Sequence, residues 1–190
     1  MANRLRSTLL YGLAQVNAFF KRNRQAIAAY REAIAADPGN PAPWRSIGFL
    51  EAQQGRPEDA IAAFTQALVI APADAVTRFN LAFVLHQTGR HDAAITEFQR
   101  TVEETPNNDR AWYGLGLCLA DVGRLEQAVD ALRQAAKLQY FNPHAGHHLA
   151  LALHKLGRAD EAREEYERVN SFDPKAAEQL RLEMGIARAD

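Results

Sequence analysis

The residues in this chain best suited to chemistry are histidines, and four of the six lie between positions 144 and 154. On a helix, His144 shares a face with His147 and His148, and His154 follows two turns after His147. Imidazoles bind metals, but no cysteine or carboxylate accompanies these histidines at ligand spacing, so we predict no metal site. If they contact a partner, its affinity should change between about pH 5.5 and 7.5.

The sequence offers little else for catalysis. It contains no Ser/His/Asp arrangement, no phosphate-binding loop and no dinucleotide-binding fingerprint. Its single cysteine, Cys118, is most simply a small core residue, which leaves no disulfide partner and is compatible with a reducing cytoplasm. We therefore predict that the protein is not an enzyme and needs no cofactor.

Charge is balanced overall but uneven along the chain. With 22 basic and 23 acidic residues the net charge is −1, which gives no global attraction to nucleic acid, so we predict no nucleic-acid partner. The first acidic residue is Glu32. The segment before it is either a solvated basic cap or a contact for an acidic partner or membrane surface. Its basic residues are Arg4, Arg6, Lys21, Arg22, Arg24 and Arg31.

The elements that must position these groups are revealed by an alanine that recurs at one constant interval along the chain. Such an interval indicates a repeat array. The recurring alanines are Ala26, Ala60, Ala94, Ala128 and Ala162. The corresponding units are 7–40, 41–74, 75–108, 109–142 and 143–176. A small residue stands at the eighth position of every unit, and a large one usually follows each recurring alanine by one helical turn. This alternation predicts two antiparallel helices per unit that cross where side chains are small.

The ends of these helices are also predictable. A glycine, which adopts left-handed backbone easily, is expected to end the first helix of most units. These glycines are Gly55, Gly89, Gly123 and Gly157. Proline is expected to stop the second helix, except in the fourth unit, where Tyr140 takes its place. These prolines are Pro38, Pro72, Pro106 and Pro174.

Several columns of the second unit together resemble one known family. Trp44, Ile47, Gly48, Ala60, Phe64, Ala67 and Pro72 reproduce the tetratricopeptide repeat signature. The resemblance implies an all-α fold, a right-handed superhelical α-solenoid of antiparallel helix pairs. We expect a single domain over 1–190, with 177–190 forming a capping helix that buries Leu180, Met184 and Ala187.

The same resemblance places a binding groove on the concave side, along the first helix of each unit. The implied groove residues are Arg45, Phe49, Phe79, Asn80, Phe83, His86, Arg110, Tyr113, Leu117, His147 and His154. Their apolar members would form a floor for a peptide or helix, and the two arginines could hold a carboxylate. Alternatively, several of the phenylalanines are additional core.

Some tetratricopeptide domains hold the acidic C-terminal tails of heat-shock chaperones in a carboxylate clamp. Arg45, Asn80 and Arg110 match three positions of that five-residue pattern, whereas Phe49 and Gly114 depart from it. The resemblance therefore supports an anion-tolerant groove better than it supports binding of chaperone tails.

The first predicted helix carries apolar residues on nearly all sides, although only one neighbouring repeat can cover it. We predict that it self-associates or docks a partner. The residues proposed for this contact are Leu9, Val16, Phe19 and Phe20. The apolar stretch from Leu9 to Phe20 is too short to span a bilayer, so we predict no transmembrane segment, signal peptide or lipid anchor.

Taken together, these patterns favour a cytoplasmic adaptor or scaffold that binds a peptide or helical segment of another protein. Two alternatives stay open. The protein could be a chaperone-like holder of an amphipathic client segment, or a regulatory module that assembles on itself through its first helix.

Overall fold

The computed structural model describes residues 2–185, and this part of the chain is all-α, with eleven helices and no strand. The helices are α1 (Ala2–Phe19), α2 (Asn23–Ala36), α3 (Pro41–Gln53), α4 (Pro57–Ile70), α5 (Ala75–Gln87), α6 (His91–Glu104), α7 (Asp109–Asp121), α8 (Leu125–Leu138), α9 (Pro143–Lys155), α10 (Ala159–Asn170) and α11 (Pro174–Met184). None of the helices in residues 2–185 is long and apolar enough to cross a membrane.

The chain divides into two compact units, Met1–Gly89 and Arg90–Asp190. The first unit contains α1 to α5, in which α1 packs on α2 and α3 on α4. The second contains α6 to α11, in which α7 packs on α8 and α9 on α10. Each of these four pairs lies within the bounds of one predicted repeat, except that α1 begins at Ala2, before the predicted start of the first repeat at position 7.

Small residues allow the helices to approach closely, as the periodicity predicts. All five of the recurring alanines are buried. At Gly48, an added methyl group would lie 2.7 Å from ring carbons of Phe64, and at Gly116 it would lie 2.6 Å from Cγ of Leu132. Because these distances are too short for carbon atoms in contact, the glycines provide the space that the large side chains fill.

The first helices of the pairs end as predicted. The four glycines expected there have φ between 69° and 76°, in the left-handed region. Lys21 holds the equivalent place after α1 with a φ of 56°, a conformation less favourable for a residue with a side chain.

The second helices end partly as predicted. α2, α4 and α6 end shortly before Pro38, Pro72 and Pro106, and α8 ends in the same register without a proline. The expectation for Pro174 was wrong. This proline is the first residue of α11, because α10 already ends at Asn170, and a proline without N–H is well tolerated in the first helical turn.

The C-terminal helix also differs from the predicted 177–190. It begins at Pro174 because the side chain of Asp173 caps it, accepting a hydrogen bond from the Ala176 amide at 3.0 Å. It ends before Gly185, which has a φ of 68°. Leu180 and Met184 are buried, as expected. Ala187 lies outside the described residues.

In three repeats, a backbone carbonyl shortly before the first helix accepts a hydrogen bond from a side chain. The donor residue differs from one repeat to the next. The indole Nε1 of Trp112 donates to the carbonyl of Pro106 at 2.9 Å. In the preceding repeat, Arg78 replaces the aromatic residue, and its guanidinium donates to the equivalent carbonyl of Pro72. A departure from the signature therefore keeps the same hydrogen bond.

In the last repeat the equivalent position is Gly146, which has no side chain to donate. The guanidinium of Arg168, from α10, fills the space beside Gly146 and donates to the carbonyl of Tyr140 at 2.6 Å. A residue from the neighbouring helix therefore supplies the donor that the glycine lacks.

The buried alanines provide a test of the packing. Replacing Ala94, which is fully buried, with leucine should lower the free energy of unfolding by about 1–3 kcal/mol, because the added atoms force α6 away from its neighbours. The exposed neighbour on the same helix, Ala93, offers a matched control, and Ala93→Leu should change stability by less than about 0.5 kcal/mol. Urea unfolding followed by circular dichroism measures both. Equal stability of the two variants would contradict this account of the packing.

Candidate functional site

The first unit contains an open cleft of about 420 Å³, formed mainly by α3 and α5. Its walls are Ala18, Tyr30, Arg45, Ser46, Phe49, Leu50, Gln53, Val76 and Asn80. Three of the predicted groove residues, Arg45, Phe49 and Asn80, thus meet in one place. A cleft with mixed polar and apolar walls is suited to a peptide or a small ligand.

Two aromatic residues predicted for the groove in the first unit, Phe49 and Phe83, are more exposed than core residues. Phe49 is 51% exposed, because the opposite face of α3 is the one that packs through Ile47 and Gly48. On α5, Phe83 is 44% exposed and stacks on half-buried Phe79 with ring centroids 6.5 Å apart. Phe49 and Phe83 are therefore surface residues and contribute little to the core.

The charge of Arg45 is balanced within the protein. Its Nη1 lies 3.0 Å from Oδ2 of Asp74, which also caps α5 by accepting hydrogen bonds from the Thr77 amide and hydroxyl. Burial raises the pKa of Asp74, but the hydrogen bonds from Thr77 and the charge of Arg45 outweigh burial and hold this pKa below its ordinary value. A carboxylate ligand would have to compete with Asp74 for Arg45. The sequence did not reveal this ion pair.

Sequence reasoning did not select several residues that line the cleft. Tyr30, the large residue one helical turn after Ala26, is buried, but it also forms part of the cleft wall. Ser46 lies beside it and within 3.3 Å of the Tyr11 hydroxyl. Val76, on the first turn of α5, is exposed. In the sequence, Val76 could have been recognised as an apolar residue that lies away from the buried face of α5.

The second unit has a smaller pocket of about 80 Å³ that contains two predicted groove residues, Arg110 and Tyr113. It is lined by Asp109, Arg110, Tyr113, Ala135, Gln139, Asn142, His144 and Ala145. Burial raises the pKa of Tyr113. The Tyr113 ring also lies 5.7 Å from the ring of His148. Leu117, one turn further along α7, is half-buried.

The histidines of α9 differ in their surroundings. His147 contacts α11, where its Nε2 lies 2.9 Å from Oε2 of Glu183. Hydrogen bonds from Gln179 and His147 lower the pKa of that carboxyl. The predicted groove residue His147 is thus already engaged within the protein, and its side chain is only 14% exposed. His154 is exposed near the end of α9, and His86, in the first unit, is half-buried on α5.

Two further residues singled out from the sequence lie in the core. Gly114, the position at which the chaperone-tail clamp would need an arginine, is buried, and an added methyl group there would lie 2.8 Å from Cε1 of Phe98. The Phe98 ring therefore excludes a long side chain. Cys118 is fully buried, and burial raises its pKa to about 12, as expected for an unreactive core thiol.

The residues predicted for self-association lie on the outer surface of α1, apart from Phe20, which lies in the turn that directly follows α1. Each side chain of this set is at least half exposed, from 54% at Val16 to 82% at Phe19. The set is Leu9, Val16, Phe19 and Phe20. The rings of Phe19 and Phe20 contact each other edge to face at 5.3 Å.

Two family models, both described as tetratricopeptide repeat, match the chain. One matches residues 51–118 and 89–145, and the other matches residues 4–75 and 119–177. No curated protein matches the chain in sequence.

Solved structures share the fold over nearly the whole chain. MamA aligns with a TM-score of 0.82 at 22% identity, covering 97% of this chain and 98% of MamA. YrrB, described as a TPR protein with an unusual peptide-binding site, aligns with a TM-score of 0.82 at 19% identity, covering 93% and 90%. PilF of Pseudomonas aeruginosa aligns with a TM-score of 0.76 at 17% identity, covering 97% of this chain and 85% of PilF. At these identities the likeness concerns the fold.

His148 should make stability depend on pH. Burial lowers its pKa, as do the charges of His147 and His144, whereas Glu183 and Asp121 raise it, and the net pKa lies below the ordinary value of 6.5. The folded state therefore prefers the neutral imidazole. Its contribution is fully present above pH 6.5 and is lost as the pH falls through the lowered pKa.

We therefore expect His148→Gln to reduce the loss of unfolding free energy between about pH 7.5 and pH 5. His154→Gln, which changes an exposed histidine of the same helix, should keep the parental pH dependence. Urea denaturation at several pH values compares the three proteins. The same pH dependence in the parent and His148→Gln would contradict this assignment.

Proposed function

The chain belongs to the tetratricopeptide repeat family, and we propose that it is a non-catalytic adaptor that binds a peptide or helical segment of another protein. The primary site is the cleft of the first unit, Met1–Gly89. Tetratricopeptide repeats are protein-interaction modules, and neither family model that matches the chain describes an enzyme. We further propose that the protein acts in the cytoplasm.

The observation that carries the proposal is the exposure of Phe49 within a cleft whose other walls are partly polar and partly apolar. The ring is 51% exposed, and the packing of α3 on α4 does not need it. Covering such a ring with a ligand side chain stabilises a complex by about 1.5–3 kcal/mol at most. An aromatic anchor of this kind is typical of the few residues that dominate binding energy.

The polar groups around Phe49 favour recognition of a peptide backbone. The amide of Asn80 can donate to a carbonyl and accept from an N–H, and Gln53 offers the same pair of functions. Arg45 is held by Asp74 at 3.0 Å, so its position is defined while its charge is compensated. This combination suits an uncharged segment with an apolar side chain better than a strongly acidic tail.

The small pocket of the second unit is a second contact site for the proposed partner. Arg110, Tyr113 and His144 line one small pocket, which brings a guanidinium, a phenol and an imidazole together. The pocket of about 80 Å³ is large enough for a single side chain and too small for a helix. We propose that it binds one polar or aromatic side chain of a partner.

The two other functions predicted from the sequence are distinguished from an adaptor by experiment. A chaperone-like holder would suppress aggregation of an amphipathic client helix, whereas an adaptor would bind its segment in a fixed stoichiometry. A self-assembling module would change its mass in light scattering when residues of α1 are substituted.

Selection from a phage-displayed random peptide library against the immobilised chain 1–190 tests the site. Selected peptides should bind Phe49→Ala at least about 10-fold more weakly than the parent, which corresponds to about 1.4 kcal/mol. Fluorescence polarisation with labelled synthetic peptides measures the affinities.

The matched control is Val69→Ala, which removes an exposed apolar side chain from α4, outside the cleft. This variant should keep the parental affinity, and circular dichroism should show that both variants remain folded. Peptides that bind the parent and Phe49→Ala equally would show that the cleft is not the binding site.

A further inference from the structure

The outward face of α1 is a continuous apolar surface. Leu5, Leu9, Leu13, Val16 and Phe20 follow one another at spacings of three or four residues, which places them on one side of a helix. Together with Phe19, these side chains are between 54% and 82% exposed. We call this set the α1 apolar face.

The opposite side of α1 is the one that holds it in the fold. Ser7 and Ala14 are buried, and the Ser7 hydroxyl donates to the Ala33 carbonyl at 2.9 Å. The Tyr11 ring packs 5.4 Å from the Tyr30 ring. The α1 apolar face is therefore not needed for packing within the first unit, and it can contact another surface without any unfolding.

The shape of the α1 apolar face restricts what it can bind. It is the convex side of one helix, with protruding leucine and phenylalanine side chains. A protein partner would need a matching groove of the length of α1, whereas a fluid lipid layer accommodates a convex apolar ridge without such a match.

The charged residues of the segment that carries the α1 apolar face, up to Arg31, have one sign. Arg4 and Arg6 are exposed on α1, and Lys21, Arg22 and Arg24 are basic residues at the end that carries the two phenylalanines. The guanidinium of Arg22 lies over the Phe20 ring, 5.8 Å from its centroid. No acidic residue precedes Glu32, so nothing within this segment compensates these charges.

We propose that α1 binds the surface of an anionic lipid membrane, lying in the plane of the interface. The leucine, valine and phenylalanine side chains enter the boundary between headgroups and acyl chains, to a depth of about 5–10 Å. The arginines and Lys21 extend along the apolar surface and place their charges at the lipid phosphates. The helix does not cross the bilayer, in keeping with the absence of a sufficiently apolar helix in residues 2–185.

Charge disfavours a second copy of this helix as the occupant. In an antiparallel pair, Arg4 and Arg6 of one copy would lie beside Lys21, Arg22 and Arg24 of the other. In a parallel pair each basic cluster would face itself. Like charges at such close range are unfavourable, and the segment before Glu32 provides no carboxylate to pair with them.

Vesicle flotation with the chain 1–190 tests the proposal. The parent should float with vesicles made from about two parts phosphatidylcholine and one part phosphatidylglycerol, an anionic lipid, and should remain unbound with phosphatidylcholine alone. Binding should weaken when salt is raised from about 0.05 M to 0.5 M, because salt screens the basic groups.

Two double variants separate the apolar and the charged contributions. The double variant Phe19→Ser with Phe20→Ser should bind the anionic vesicles at least about 100-fold more weakly. Arg22→Gln with Arg24→Gln should bind about 10-fold more weakly and show a reduced dependence on salt. The matched control, Phe141→Ser with Leu182→Gln, removes two exposed apolar residues of the second unit and should bind like the parent.

Several outcomes would overturn the proposal. One is that the parent does not float with anionic vesicles, and another is that the double phenylalanine variant binds them as well as the parent does. A third is that the parent forms a dimer in light scattering that this variant abolishes, which would identify a second copy as the occupant. Phe49→Ala should not change vesicle binding, so failure here and failure of the peptide cleft are separate results.

Discussion

Close approach of helices at small side chains is the constraint on which the other features of this protein depend. At Gly48 the missing methyl group gives space to the Phe64 ring, and at Gly116 it gives space to Leu132. Because each large side chain fills the space that a small residue leaves, helices pack closely with few residues. Parts of the first helices, such as the face of α3 that carries Phe49, are then not needed for packing.

This separation of packing from surface explains the chemistry of the cleft. Phe49 can remain half-exposed because Ile47 and Gly48, on the other side of α3, complete the contact with α4. The electrostatics of the same cleft are set by Asp74, which caps α5 and pairs with Arg45. One carboxylate therefore stabilises a helix end and also reduces the attraction of the cleft for acidic ligands.

The irregular repeats show that interactions are preserved where residue types are not. The carbonyl before a first helix receives its hydrogen bond from Trp112 in one repeat, from Arg78 in another, and from Arg168 where Gly146 has no donor. A buried carbonyl left without a partner costs about 1–3 kcal/mol, and of these three hydrogen bonds the one from Arg78 to the Pro72 carbonyl is partly buried. A departure from the signature is therefore not a loss of structure.

The sequence by itself determined the helix pairs, the left-handed glycines at their ends and the buried alanines, because these depend on regular spacings within one chain, those of one helical turn and of one whole repeat. The sequence also placed the residues of the predicted groove on particular helices. Whether such a residue is exposed or paired within the protein could not be predicted, because this depends on side chains distant in sequence that only the packed helices bring together. The pairing of Arg45 with Asp74, the contact of His147 with Glu183 and the exposure of Phe49 and Phe83 are of this kind. A periodic pattern places a residue on a face, but which group that face meets is decided by the tertiary structure.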